Sequence, residues 1–279
     1  MKHYLTIFLF LFAFTAIAQD DEAKSEKEKQ AAIEKAAQNP IASMYVLPFQ
    51  NNTQFGIGPD DRTQNVLNIQ PVIPLSISEK TNLIVRTIIP IISQPVYKPT
   101  GNEENPWVND RENGLGDIAL SLFFTPSKPG KLIWGVGPAI GMPTATDPVL
   151  GTEKWSAGPS VIALIQPHGW TFGFIVQNTW SFAGQSDRQN VNSFYSQIFI
   201  VKNIKKGWYV NSAPIITANW EAESGQQWLV PLGVGAGKLF RIGKLPINAQ
   251  FGYYNYVVKP DNGPDWQLRA QINLLFPKK

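Results

Sequence analysis

Residues 265–279 read "DWQLRAQINLLFPKK". From position 266 to 276 every second residue is apolar: Trp266, Leu268, Ala270, Ile272, Leu274 and Phe276. Gln267, Arg269, Gln271 and Asn273 lie between them, and Leu275 is the one break in the alternation. Successive side chains of a strand point to opposite faces, so this is a strand with one greasy and one wet side. In a soluble sandwich the greasy side meets a core; in an outer-membrane barrel it meets lipid and the wet side a lumen.

The start of the chain sets the compartment. "MKHYLTIFLFLFAFTAIAQDD" has a lysine at position 2, an apolar run to Phe14 and a small-residue ending at Ala18. That is the layout of a secretory signal peptide over residues 1–18. A spanning helix needs about 20 apolar residues, and this run meets acidic ones sooner. No later stretch is long and uniformly apolar enough to span as a helix. The exported protein is therefore expected to be either soluble outside the cytoplasm or a barrel.

The chain has 279 residues and no cysteine, which excludes thiolate metal sites and cysteine nucleophiles. Its net charge of +3 is too weak to point to nucleic acid. Charged residues make up 16% of the chain, and many crowd into residues 19–39. That Ala/Glu/Lys-rich stretch favours helix by propensity but shows no apolar stripe beyond Ile33. It is expected to be a charged, solvated periplasmic spacer, with folding up into a lumen as the alternative.

From residue 40 to 279 the texture changes. Runs rich in Val, Ile, Phe, Tyr and Trp alternate with Gly/Pro/Asn/Asp/Lys clusters. They cover 43–55, 63–77, 83–96, 117–125, 132–143, 155–166, 170–183, 192–203, 208–221, 227–240, 247–258 and 266–276. Most exceed the usual strand of about five or six residues and suit a tilted strand crossing a membrane. The connections alternate too. "SEKTN", "PSKPGK", "PHG", "IKKG" and "RIGKLP" are short and rich in Lys, Pro and Gly. "GIGPDDR", "YKPTGNEENPWVNDRENG", "TATDPVLGTEK", "GQSDRQ", "AESGQ" and "KPDNGPD" are mostly longer and carry nearly all the loop carboxylates. Short turns at one rim and longer loops at the other are the pattern of a barrel, and an even strand number puts both termini at the short-turn, periplasmic rim.

The tryptophans choose between the two faces. Trp134, Trp170 and Trp208 follow short turns, whereas Trp155, Trp180, Trp220, Trp228 and Trp266 sit at strand ends beside long loops. Trp170 and Trp180, Trp208 and Trp220, and Trp266 and Phe276 are separated by even numbers of residues, so each pair shares a face. On a tilted strand they stand roughly 23–30 Å apart along the membrane normal, the height of an apolar band between two aromatic girdles. The expected fold is an all-β transmembrane antiparallel barrel of about 12 strands, in a bacterial outer membrane, with its greasy face toward lipid.

A resemblance agrees. The closing strand, with Phe276 near the chain end, is similar to the C-terminal signature of outer-membrane barrels, which implies recognition by the barrel-assembly machinery. "LPFQNNTQFGIGPDDRTQNVLNIQPVIP", "GLGDIALSLFFTP", "WGVGPAIGMPTATD", "WSAGPS" and "VVKPDNGPDWQLR" resemble a bacterial outer-membrane group related to proposed transporters of the phenol meta-cleavage pathway, some labelled neuromedin U. The resemblance covers residues 39–277 and implies a passive transport role without a catalytic motif.

The face opposite the tryptophans collects the candidate lumen residues. They are Asn68 and Gln70 on the second strand, Arg86 on the third, Gln177 on the seventh, and Tyr195 and Gln197 on the eighth. Asn211, Asn219, Asn248 and Gln250 follow on the next three, then Gln267, Arg269, Gln271 and Asn273 on the last. Arg86 lies within "NLIVRTIIPII" and is the first candidate for a pore determinant, because on the lipid face at mid-depth it would cost about 2–4 kcal/mol. The amides could instead simply bond one another across a packed interior. Pro48, Pro71, Pro74, Pro90, Pro138, Pro159, Pro214 and Pro231 fall inside strands, so each is expected to mark a bulge or break. Breaks in the adjacent second and third strands could open the wall sideways.

Asp60, Asp61, Asp261 and Asp265 lie in the first and last long loops, which closure makes neighbours; they form a weak candidate cation site, ordinary turn chemistry being the plainer reading. A barrel-embedded lipid enzyme would need a histidine near a serine at membrane level. The exported part has one histidine, His168, in the tight turn "QPHGW", so no catalytic residue and no cofactor is expected. The expected function is passive passage of small uncharged or partly apolar solutes. The alternative is a structural or surface-interaction barrel resting on the loop over 97–114.

Overall fold

The computed structural model describes residues 31–42, 44–99 and 107–276. The signal peptide and the first part of the spacer lie outside the described residues. Alternating strands, each long enough to cross a bilayer, pair in sequence order and then close. The twelve staves are β1 (Tyr45–Ile57), β2 (Arg62–Ile69 continued by Val72–Ser76), β3 (Thr81–Pro99) and β4 (Trp107–Leu115 continued by Ile118–Pro126). They continue as β5 (Leu132–Met142), β6 (Lys154–Ile165), β7 (Trp170–Gly184) and β8 (Asn192–Asn203). The last four are β9 (Trp208–Ser212 continued by Ile215–Asn219), β10 (Trp228–Ile242), β11 (Leu245–Val258) and β12 (Trp266–Phe276). All neighbours are antiparallel, and β12 pairs back onto β1 from Tyr45 opposite Phe276 to Phe55 opposite Trp266. Closure gives each stave a neighbour on both sides, so most of the membrane-level backbone is hydrogen-bonded without water.

The lipid face is apolar and ringed by aromatics. Trp134, Trp170, Trp208 and Phe276 are exposed at the short-turn rim, and Trp155, Trp180 and Trp220 at the other. Trp228 and Trp266 belong to the same outer ring but stand half-buried against other rings, Trp266 stacked and Trp228 edge-on. Phe55 lies 3.9 Å from Trp266, and Trp220 lies 5.1 Å from Trp228. Amphipathic rings at both headgroup levels anchor the barrel at a fixed depth.

The prolines behave less uniformly than the sequence suggests. Pro71 and Pro214 separate the two pieces of β2 and β9, and Pro231 sits at a register shift in β10. Pro138 faces Pro159 in register, and the ladders on their outer sides skip there without shifting. Pro48 and Pro74 also keep register, whereas at Pro90 the pairing on the β4 side slips by one residue, from Ile91 opposite Leu115 to Ile88 opposite Ala119. A proline deletes one N–H but inserts no residue, so a lost bond need not become a bulge. The wall between β2 and β3 is closed: pairing runs from Asn65 opposite Ser93 to Ser76 opposite Asn82, and Thr87 donates to the Pro71 carbonyl across the break. The thinner seam is between β9 and β10. There the ladder stops at Asn211 opposite Gly235 and resumes at Thr217 opposite Leu229, with Ser212 Oγ donating to the Gly233 carbonyl between.

Residues 97–114, read as one long loop, are mostly strand. β3 and β4 continue past the barrel as a two-stranded ribbon, with Tyr97 opposite Asn109. Beyond Ser93 no strand among the described residues covers the ribbon's β2 side, and two arginines take over. Arg62 donates to the carbonyls of Val96 and Asp110, and Arg111 to those of Ser93 and Thr63.

Candidate functional site: the barrel lumen

The inward residues of β12 start two chains of amides. Gln271 lies between Gln50 of β1 and Gln250 of β11. It accepts from Gln250 Nε2 at 2.8 Å and donates to Asn273 at 2.7 Å. Gln250 in turn accepts from Asn211 and Tyr209. On the other side Asn52 Oδ1 is a hub, accepting from Gln50, Gln267 and Arg269 at 3.0–3.2 Å. Gln50 accepts from Gln70, and Gln70 accepts from Arg86 at 3.0 Å. The two arginines are therefore joined through Gln70, Gln50 and Asn52.

Neither guanidinium meets a carboxylate among the described residues. Arg269 is buried, donates to the Ala213 carbonyl at 2.7 Å and lies over the Tyr254 ring at 4.5 Å. Burying an ion costs several kcal/mol unless it is hydrogen-bonded, and the amides with that ring supply the solvation. Arg86 donates to Gln70 and lines two cavities.

The larger cavity, about 290 Å³, lies above Arg86. Amides of β1, β2 and β12 form one wall; Tyr195, Ile215, Leu229 and Pro231 form the other. The smaller, about 140 Å³, lies between Arg86 and the described N-terminal segment. That segment is the floor. Residues 31–37 are helical, and Ile41 is buried against Ile84, Phe123, Ile162, Ile175 and Phe199. Ala42 and Met44 pack on Leu239 and Leu275, with Ile33, Ala36 and Ala37 beside them. A spacer expected to stand in solvent is thus packed into the barrel from residue 33 onward. It has something to bury because the β3–β8 side of the periplasmic half of the lumen is apolar.

The opposite mouth is narrowed by the β5–β6 loop. Asp117, at the break in β4, accepts from Ala145 N and from Thr152 N and Oγ1. Leu150 is buried, and its Cδ1 lies 2.9 Å from where a Cβ on Gly114 would stand, so only glycine lets the loop lie this deep. Arg188 secures it from outside, donating to the Pro148 and Gly151 carbonyls and pairing with Glu153 at 3.1 Å.

The structure puts Asn68, Gln70, Arg86, Tyr195, Gln267 and Arg269 on the larger cavity. Gln197, Asn211, Asn248, Gln250, Gln271 and Asn273 line the smaller. Gln177 faces inward and accepts from Ser121 and Ser160. Asn219 is exposed at the rim, where its side chain accepts from Glu221 N and closes the turn. Sequence reasoning missed Gln50, Asn52 and Gln54 of β1 and the tyrosines Tyr209, Tyr254 and Tyr256.

The loop carboxylates are neighbours, since Gly58 N donates to Asn262 O. They are occupied singly: Asp60 by Tyr97 and Asn109, Asp261 by Gln226, and Asp265 by Lys259 at 2.5 Å. No cluster of metal-binding side chains occurs among the described residues. His168 is an exposed turn residue at φ +46°.

No protein-family model matches the chain, and no curated protein matches its sequence. Among solved structures, an outer-membrane channel of Pseudomonas putida F1 superposes with a TM-score of 0.60 at 15% identity, over 84% of this chain and 94% of that one. The NanC porin superposes with a TM-score of 0.50 at 9% identity, over 84% of this chain and 100% of that one. Identities this low carry the fold alone, and with the apolar, girdled exterior that fold is a closed, twelve-stranded outer-membrane β-barrel.

Proposed function

We propose that the barrel lets small uncharged or partly apolar solutes cross the outer membrane passively, without cofactor or energy source. The observation that carries this reading is the mixed cavity of about 290 Å³, amides and two arginines on one wall and aliphatic and aromatic carbon on the other. A wall of neutral amides exchanges hydrogen bonds with a solute as readily as with itself, and the opposite wall accepts an apolar body. With fixed charge limited to Arg86 and Arg269, selection among small ions is weak and favours anions. The resemblance to proposed phenol-pathway transporters agrees. Passage requires the floor over residues 31–42 to shift, so it is slow. Phe276, exposed at the periplasmic rim, is in position to present β12 to the assembly machinery.

The test is uptake of small sugars, amino acids and simple aromatics by liposomes carrying the protein. Arg86→Ala and Arg269→Ala are expected to change permeability and reduce any anion preference. A specific observation favours a second reading, a surface scaffold: the arginine-braced ribbon of β3 and β4 stands clear of the wall. Should no solute enter while heat-dependent gel mobility shows an intact barrel, the scaffold replaces the channel.

A further inference from the structure

The lipid-facing wall between β5 and β8 holds a groove of about 640 Å³, on the half nearest the periplasmic rim. Register places its sides in one outward patch. Leu132 lies opposite Ile165, Ile165 opposite Phe172, Phe172 opposite Ile200, and Phe174 opposite Ile198. Ala163 and Ser196 line it among these larger neighbours and give it depth. Such a surface needs only lipid, but the end of this groove is charged. The next outward residue of β8 after Ile200 is Lys202, whose Nζ lies 4.6 Å from the Trp170 ring centroid. Lys131 immediately precedes Leu132, and Lys205 and Lys206 occupy the turn after β8. The three turns bordering the groove, 127–131, 166–169 and 204–207, contain no carboxylate.

We infer that this groove is a binding site for one anionic phospholipid of the periplasmic leaflet. The acyl chain lies along Ile165, Phe172, Phe174, Ile198 and Ile200. The phosphate meets Lys202 and the turn lysines, and the Trp170 ring holds the headgroup level. Charge complementarity selects the headgroup. A zwitterionic lipid would bring an ammonium to a rim with no carboxylate on those turns to receive it. The site uses outward residues only and is independent of the solute path.

Native mass spectrometry tests this on the full chain, extracted from outer membranes and incubated with equal phosphatidylglycerol and phosphatidylethanolamine. One phosphatidylglycerol should be retained in clear excess. Each of Lys202→Ala, Lys205→Ala and Lys206→Ala should weaken its retention about fivefold, the equivalent of the ~1 kcal/mol a basic side chain contributes at an anionic surface. Ala163→Phe, which fills the groove and leaves the lysines, should reduce retention of both lipids. Lys244→Ala, in the β10–β11 turn, should not. Equal retention of the two lipids, or retention insensitive to Ala163→Phe, would overturn the site, as would self-association that displaces lipid. If Ala163→Phe fails the heat-mobility check, Phe172→Ala with Phe174→Ala strips the groove's sides and is read the same way.

Discussion

Leu275 is fully buried inside the barrel, against Ala42, Met44 and Leu239. Its inward position puts an apolar side chain where the rest of β12 presents amides, and the floor rests on it. Truncating a buried leucine typically costs about 2–5 kcal/mol. Leu275→Ala should therefore lower the temperature at which the barrel loses its compact gel mobility, and speed solute entry. The same residue is the lone irregularity in the closing strand's alternation, so the signal for a packed floor was present in the sequence. It could not be read there because the partner, Ile41 to Met44, carries no periodicity of its own. His168 was legible as a turn residue; at φ +46° it does local backbone work. His168→Ala should leave membrane lipid composition and fold unchanged, and phospholipid turnover that disappears with it would revive the enzyme reading.

Among elements, β1 shows why part of the lumen escaped notice. "QNNTQ" is polar on both faces: Gln50, Asn52 and Gln54 point inward, while Asn51 and Thr53 bond Asn65 on the outside. Alternation assigns a face only when the two faces differ. The first half of β4, "WVNDRENGL", reads as loop for a related reason. It lies beyond the membrane, where neither face need be apolar, and the arginines hold it. Arg111→Ala removes the donors to Ser93 and Thr63 and leaves those acceptors to water, a loss of about 1–3 kcal/mol localised to the ribbon. Protease added to intact cells should then cleave within 94–112, with heat mobility of the barrel unchanged; a ribbon as resistant as wild type would contradict the bracing role.

For the whole molecule, the twelve runs of the sequence are the twelve staves, because lipid on one side imposes a largely apolar face on the crossing strands, β1 departing from it at Asn51 and Thr53. What lies inside was less legible. A lumen can be amide or hydrocarbon without changing the outer pattern, and here amides line the β12 side while hydrocarbon from β3 to β8 meets the N-terminal segment below. On the proposed function this lumen is a solute path closed by that floor. The direct test compares uptake of one small uncharged sugar by liposomes carrying wild type and Ile41→Asp. A carboxylate set among Ile84, Phe123 and Ile162 is costly enough to expel the segment, while the strand ladder is untouched. Uptake should be slow in wild type and at least several-fold faster in the variant. No uptake in either, with both barrels intact by heat-dependent mobility, would contradict it.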